Sequence, residues 1–109
     1  MLKNIYGDFM DVNFELGDLK FVWDKNKAEI NWKKHKVYFE TAAKVFFDKN
    51  HIDDYDEFHS NFEDRNKIIG RVGKILVVIY TERSEKIRII SARLANKKEQ
   101  EDYYAQFYF

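Results

Sequence analysis

The chain has 109 residues, a formal net charge of zero and no cysteine. This length corresponds to one ordinary domain, which can bury a core of its own. Aromatic residues make up 17% of the chain, which excludes a disordered tail, and the zero net charge disfavours a protein that coats DNA non-specifically. Without cysteine the chain has no disulfide, thiolate metal site or cysteine nucleophile. It has no apolar run of membrane-spanning length and no basic signal sequence, so we expect a cytoplasmic protein without a membrane partner.

The zero net charge conceals a strong partition along the chain. Segments 20–36 and 82–98 each carry six lysines and arginines against two acids. Segment 48–64 carries seven acids against one lysine, and segment 1–19 carries four acids against one lysine. If the two basic segments meet in space, they form an anion-attracting surface on a neutral protein. The alternative is that each charge run is simply a solvated face.

The first half of the chain predicts two strands followed by two helices. Residues 9–16 alternate loosely as a strand, and 19–23 form a second, short apolar strand. Asp24 is a predicted N-cap for a helix over 25–35. A second helix ends near residue 48, and its apolar face has the i, i+3, i+4, i+7 spacing of an amphipathic helix at Phe39, Ala42, Ala43 and Phe46.

The second half predicts a loop, three strands and a helix. Residues 49–64 are polar and acidic and lack a period, as in a loop. Asn96 and Glu99 have the spacing of a capping box at the start of a C-terminal helix. The fold class is therefore α+β, an antiparallel meander with two N-terminal helices and a C-terminal helix. Its three strands are expected over 65–72, 75–80 and 87–94, with the β-branched middle one buried on both faces.

A series of short motifs resembles the BrnT-type toxins. The resemblance covers about residues 20–105, and it depends on the order and spacing of the whole series. In chain order the motifs are WD at 23–24, Asn31, KH at 34–35, HS at 59–60, IGR at 69–71, VVIYTER at 77–83 and RIISAR at 88–93, followed by Glu99 and Tyr103.

This resemblance implies a specific biology. BrnT-type proteins are small ribonucleases with a RelE-like fold, and they are the toxin half of bacterial type II toxin–antitoxin modules. The expected activity is therefore endoribonuclease cleavage of RNA without a metal or other cofactor, which stops translation. The expected partner is a DNA-binding, BrnA-like antitoxin that forms a hetero-oligomer with the toxin and carries it to operator DNA. Residues 1–19 have no counterpart and form an N-terminal extension, which could add an edge strand to a toxin domain over 20–109.

Two positions depart from the family pattern. Lys36 follows the Lys–His pair, where the family usually has glycine. A left-handed helix cap would cost a non-glycine residue about 1 kcal/mol, so the turn at Lys36 could differ. Tyr38 stands where a small hydroxyl residue is common, so the second helix could lack a side-chain N-cap.

Metal-independent RNA cleavage needs a base for the 2′-hydroxyl, an acid for the 5′-oxygen and cations for the phosphorane. His35 lies among lysines that should lower its pKa and favour the neutral base; alternatively, it interacts with the carbonyls at a helix end. Acids around His59 should raise its pKa, which suits a general acid; alternatively, it is a solvated loop residue. His51 matches no motif, and irregular spacing disfavours a metal site in the acidic segment.

Arginines are the candidate phosphate binders, because the guanidinium fork stays charged and binds phosphate bidentately. Arg88 interrupts an apolar strand, so it is either a site residue or part of a structural ion pair with Glu82 or Asp64. Strict alternation puts Arg88 and Arg93 on opposite faces of the strand, unless a bulge or a strand end lies between them. We therefore favour Arg88 for the site and expect Arg93 at the rim of the site or in the antitoxin interface. The candidates for catalysis are His35, His59, Arg65 and Arg88. The candidates for RNA binding are Lys33, Lys34, Arg71, Tyr80 and Arg93. Tyr80 would stack on a base, or alternatively it is a core residue.

Two other functions fit the same sequence. The basic surface could belong to a non-catalytic module that binds RNA or an acidic peptide. The aromatic segment 103–109 could serve assembly, since terminal aromatics are hard to bury in one small domain. The ordered motif series favours the toxin, and an assembly surface is compatible with it because a toxin also binds an antitoxin.

Overall fold

The computed structural model describes residues 10–55 and 64–108, which form one six-stranded sheet and three α-helices. The strands are β1 (Asp11–Leu16), β2 (Leu19–Asp24), β3 (Ile52–Tyr55), β4 (Asn66–Val72), β5 (Lys74–Arg83) and β6 (Lys86–Leu94). The helices are α1 (Lys25–His35), α2 (Phe39–Ala43) and α3 (Lys97–Ala105), and 3₁₀ turns follow at Lys44–Phe47 and Gln106–Tyr108. Within these ranges each helix is too short and too polar to cross a lipid bilayer.

The sheet is larger than the predicted meander, and it is mixed. Its strand order is β1-β2-β6-β5-β4-β3. Neighbouring strands in the described ranges are antiparallel except β2 and β6, which are parallel. The α+β class is confirmed, and β4, β5 and β6 form the expected antiparallel meander. The predicted meander did not include the parallel pair of β2 and β6, which arises because the helical segment after β2 returns the chain so that the two strands run in the same direction.

The predicted loop over 49–64 contains a strand. Ile52–Tyr55 forms β3, which lies at the edge of the sheet and pairs with β4. Its two central residues are both aspartates, so the strand shows no apolar alternation in the sequence. Charged residues on short edge strands are a common protection against unwanted strand pairing. The second helix also differs from its prediction, since α2 ends at Ala43 and a 3₁₀ turn continues to Phe47.

Each face of the sheet carries its own core. The α1 face is covered by α1, α2 and the first 3₁₀ turn, and its fully buried side chains include Phe21, Phe39 and Ile89. The α3 face is covered in part by α3, whose Tyr103 packs with Val77. As predicted, the middle strand β5 is buried on both faces. The terminal aromatics divide between burial and exposure: Tyr103 is 2% exposed, whereas Phe107 and Tyr108 are 51% and 80% exposed.

Lys36 ends α1 in the left-handed conformation, with φ 58° and ψ 35°, and its N–H donates to the carbonyl of Trp32. The departure from glycine therefore does not change the type of cap, and the chain accepts a strained lysine there. The Lys36 ammonium lies 5.4 Å from the centre of the Trp32 ring, and Tyr38 stacks on the same ring at 4.1 Å. Tyr38 makes no side-chain cap for α2, as its residue type predicts.

We expect Lys36→Gly to stabilise the protein. Relief of the left-handed strain is worth about 1 kcal/mol, and loss of the exposed cation–π contact offsets about 0.5 kcal/mol of this. The free energy of unfolding in urea should therefore rise by about 0.5 kcal/mol. Lys36→Ala is the matched control, because it loses the contact but keeps the strain. Equal stability of the two variants would contradict the strained cap.

Candidate nucleic-acid interface

The two basic segments of the chain meet at strand β6. Segment 20–36 forms β2 and α1, and β6 lies within segment 82–98. β2 pairs with β6 at Val22↔Arg88, and the Asn31 side chain of α1 hydrogen-bonds the Ala92 backbone further along the strand. The two basic segments are therefore neighbours in the fold.

A β-bulge in β6 puts Arg88 and Arg93 on the same face. The pairing of β5 with β6 shifts between Ile79 and Tyr80, so that Ile90 is an extra residue on β6. Strict alternation would separate the two arginines, which are five positions apart in the sequence. Because the bulge adds one residue between the two arginines, the alternation of side chains shifts by one position, and both arginines lie on the α3 face.

Arg88 reaches across β2 to an acid on β1. Its Nη2 donates to Asp11 Oδ2 at 2.8 Å, and the two side chains are 25% and 27% exposed. The ion-pair partner is thus Asp11, whereas the sequence suggested Glu82 or Asp64. A contact between residues 77 positions apart leaves no local signal in the sequence.

Arg65 lies at the same end of the sheet as Arg88. It directly precedes β4, whose first residue Asn66 pairs with Tyr80 on β5. On the other side of β5, Thr81 pairs with Arg88. The two arginines therefore flank the same stretch of β5, and two strand spacings put their backbones roughly 10 Å apart.

Glu99 organises a second group of cations on the α3 face. Its carboxylate accepts both Nη atoms of Arg93 at 2.7 and 2.8 Å and the Nζ of Lys67 at 2.9 Å. The hydrogen bonds from Arg93, helped by the Asn96 backbone and Lys67, lower the pKa of Glu99 to about 2 against the opposing effect of burial. The same carboxylate also completes the predicted capping box with Asn96. The sequence predicted the capping role of Glu99 and missed its role as an anchor for Arg93.

His35 is the last residue of α1 and lies near Arg93. Burial, then the charges of Lys34 and Arg93, lower the pKa of His35 below its ordinary value of 6.5. The direction agrees with the sequence prediction, although burial is the largest cause. The imidazole is therefore neutral at pH 7 and able to accept a proton. Arg88 is roughly 16 Å from Arg93 along the strand, so His35 and Arg88 are not brought together.

The other candidate residues are distributed around these two groups. Lys33 and Lys34 are exposed on the last turn of α1. Arg71 lies at the far end of β4, where its backbone N–H donates to Asp48. Tyr80 is 7% exposed in the core of the α1 face, opposite the arginines, and burial followed by the charge of Asp53 raises its pKa to about 12. His59 lies outside the described residues.

His51 contacts the Asp48 carbonyl through Nδ1 at 2.8 Å and the Asp53 carboxylate through Nε2 at 3.2 Å. These contacts join β3 to the turn before it. In residues 10–55 and 64–108, no group of three or more histidine or acidic side chains is placed to hold a metal ion.

A family model for the ribonuclease toxin BrnT of type II toxin–antitoxin systems matches residues 23–99. The chain belongs to the BrnT family. The match extends from the end of β2 into α3 and contains both cation groups, whereas Asp11 precedes it. The comparison with curated proteins found no match.

The fold is also similar to a solved BrnT structure. The ribonuclease toxin BrnT of Brucella abortus is 23% identical to this chain, with a TM-score of 0.52. The alignment covers 69% of this chain and 94% of the Brucella chain. At this identity the likeness concerns the fold, a small α+β domain.

The lowered pKa of His35 makes a prediction about acid stability. Because the native state binds its proton more weakly than the unfolded chain, this residue disfavours folding as the pH falls through 6.5 towards the folded-state pKa. We expect His35→Gln to lose less stability than the wild type between neutral pH and about pH 5, measured by urea unfolding. An NMR titration of His35 with a midpoint at or above the ordinary value would contradict this.

The Glu99 anchor makes a second prediction. Glu99→Gln should destabilise the protein by about 1–3 kcal/mol, since two cations lose a charged acceptor. Glu101→Gln, an exposed residue of the same helix, is the control. Because the folded-state pKa is depressed, the contribution of Glu99 is present at neutral pH and is lost as the pH falls towards about 2. If the two variants unfold at the same urea concentration, the anchor has no energetic role.

Proposed function

We propose that this BrnT-family chain is a metal-independent endoribonuclease toxin that binds RNA along the α3 face of β6 and stops translation. The observation that carries the proposal is the bulge at Ile90, which places Arg88 and Arg93 on one face where the two basic segments meet. A guanidinium pair on one strand face offers successive contacts to a phosphate backbone. Because the chain as a whole is neutral, attraction of RNA would depend on local positive charge and not on the net charge.

The scissile phosphate is assigned to the Arg88 end of the surface. There, Arg65 and Arg88 come from opposite sides of β5, whereas both Nη atoms of Arg93 are engaged by Glu99. A guanidinium has five N–H donors, so Arg88 can bind Asp11 and still donate to a phosphorane. Preorganised donors of this kind stabilise the charge that develops on a transferring phosphoryl group.

Two histidines are the candidates for acid–base chemistry, and the structure describes one of them, His35. His59 is proposed as the general acid, on the sequence argument that neighbouring acids favour its protonated form. His35 lies near Arg93 and directly follows Lys33 and Lys34, so with the scissile phosphate at Arg88 it would contact RNA further along β6 and would not be the base for that phosphate. A large loss of kcat in His35→Gln with unchanged KM would instead move the scissile phosphate to this end.

Membership of the family implies an antitoxin partner. We propose a DNA-binding, BrnA-like antitoxin whose acidic segment covers the surface formed by 20–36 and 82–98. The complex would be a cytoplasmic hetero-oligomer that reaches operator DNA through the antitoxin. Arg71 and the exposed aromatics after α3 are available for such a contact outside the arginine face, and a RelE-like arrangement of the domain stays a prediction.

Cleavage of a defined RNA in excess EDTA tests the activity. We expect the wild type to cut and Arg88→Ala to lose about 10²-fold in kcat/KM, the usual effect of removing one preorganised donor. Arg88→Lys should fall between them, because it keeps the charge and loses the fork.

Lys49→Ala is the control for charge, since Lys49 is exposed beyond the first 3₁₀ turn. Circular dichroism checks that each variant is folded. If the wild type leaves RNA intact under every condition but still binds it in a salt-dependent way, the chain is a non-catalytic RNA-binding module and the enzymatic proposal is wrong.

A further inference from the structure

Strand β1 supplies hydrogen-bond acceptors to two basic side chains of β6. Asp11 accepts from Arg88 Nη2 at 2.8 Å, and Asn13 accepts from Lys86 Nζ at 3.0 Å. The two acceptors are two positions apart on β1, and the two cations are two positions apart on β6. β1 precedes the segment that the family model matches.

The sheet topology explains this matched spacing. β1 is antiparallel to β2, and β2 is parallel to β6, so β1 and β6 run in opposite directions on either side of β2. Residue numbers therefore increase along β1 in the direction in which they decrease along β6, so Asp11 meets Arg88 and Asn13 meets Lys86. The two strands are roughly 10 Å apart, so Arg88 must extend over β2, where Val22 is its strand partner and is 8% exposed.

This contact has two opposite physical effects on RNA binding. A guanidinium held at Nη2 by a carboxylate is fixed in orientation, which favours donation of its other N–H groups in one direction. The same carboxylate repels an approaching phosphate and competes for the arginine. An asparagine at this position would retain the acceptor and remove the repulsion, so the two effects can be separated.

We propose that Asp11 is a positioning residue for Arg88, which orients the guanidinium for the RNA phosphate at the expense of weaker RNA binding. The inference rests on the proposed function, because it assigns Asp11 a role through Arg88. β1 thereby sets the balance between RNA affinity and turnover on this surface.

The test compares Asp11→Asn and Asp11→Ala with the wild type. Glu15→Gln is the matched control, because Glu15 is an exposed acid on the same face of β1, four positions from Asp11. Affinity is measured by fluorescence anisotropy with a fluorescein-labelled, fully 2′-O-methylated single-stranded RNA, which lacks the nucleophile for cleavage. kcat and KM are measured on the unmodified RNA, and thermal melts check the fold.

We expect Asp11→Asn to bind the probe about two- to fivefold more tightly, as for removal of one partly exposed charge. Its dependence of log affinity on log salt should be steeper by about 0.7, which corresponds to one further phosphate contact. Its kcat should be retained, whereas Asp11→Ala should bind more tightly and lose about tenfold in kcat, because Arg88 is no longer oriented.

Three results would overturn the inference. Equal tightening by Asp11→Asn and Glu15→Gln would show a general charge effect. Full kcat in Asp11→Ala would exclude positioning, and unchanged affinity in Asp11→Asn would exclude competition with phosphate. If the wild type binds RNA without cutting it, the proposed function fails by itself, and the comparison of Asp11→Asn with Glu15→Gln in binding still decides whether Asp11 restrains Arg88.

Discussion

The side-chain amide of Asn31 hydrogen-bonds the backbone of β6 at the point where β2 no longer pairs with that strand. β2 pairs with β6 at two positions, and α1 then takes its place beside the strand. There the buried Asn31 accepts from the Ala92 N–H at 3.0 Å and donates to the Ala92 carbonyl at 2.8 Å and the Val37 carbonyl at 3.1 Å. Unpaired buried backbone groups cost about 1–3 kcal/mol each, so this amide fixes α1 against β6. The meeting of the two basic segments, and the position of His35 beside Arg93, both follow from it.

The arginine face is built from partnered cations. Arg88 has Asp11, and Arg93 shares Glu99 with Lys67. Each carboxylate orients its cations and reduces the local charge, which agrees with a chain whose net charge is zero. The surface can therefore present guanidinium groups in fixed positions, where their remaining donors matter more than the total charge.

Features that depend on neighbours in the chain were predictable. The Asp24 N-cap, the Asn96–Glu99 capping box and the β-branched run of β5 are local signals, and the structure has all three. The bulge at Ile90 was not predictable, because nothing in an apolar strand shows which residue the partner strand will leave unpaired. The Arg88–Asp11 pair depends on the order of strands in the sheet, which the sequence does not contain locally. The local rule for Lys36 suggested that the turn could differ, but the structure keeps the left-handed cap, and the sequence could not show that the surrounding contacts would hold it.

Helix α3 connects the arginine face to the opposite edge of the sheet through two carboxylates. At its start, Glu99 holds Arg93 while it caps the helix. Near its end, the Tyr103 hydroxyl donates to Asp48 at 2.6 Å, and this carboxylate also accepts backbone N–H groups from Arg71 and Asn50. Burial would raise the pKa of Asp48, but the hydrogen bond from Tyr103 and those from the backbone outweigh it and lower the pKa. Both carboxylates therefore stay ionised well below neutral pH, so α3 keeps both attachments there, including the one that orients Arg93.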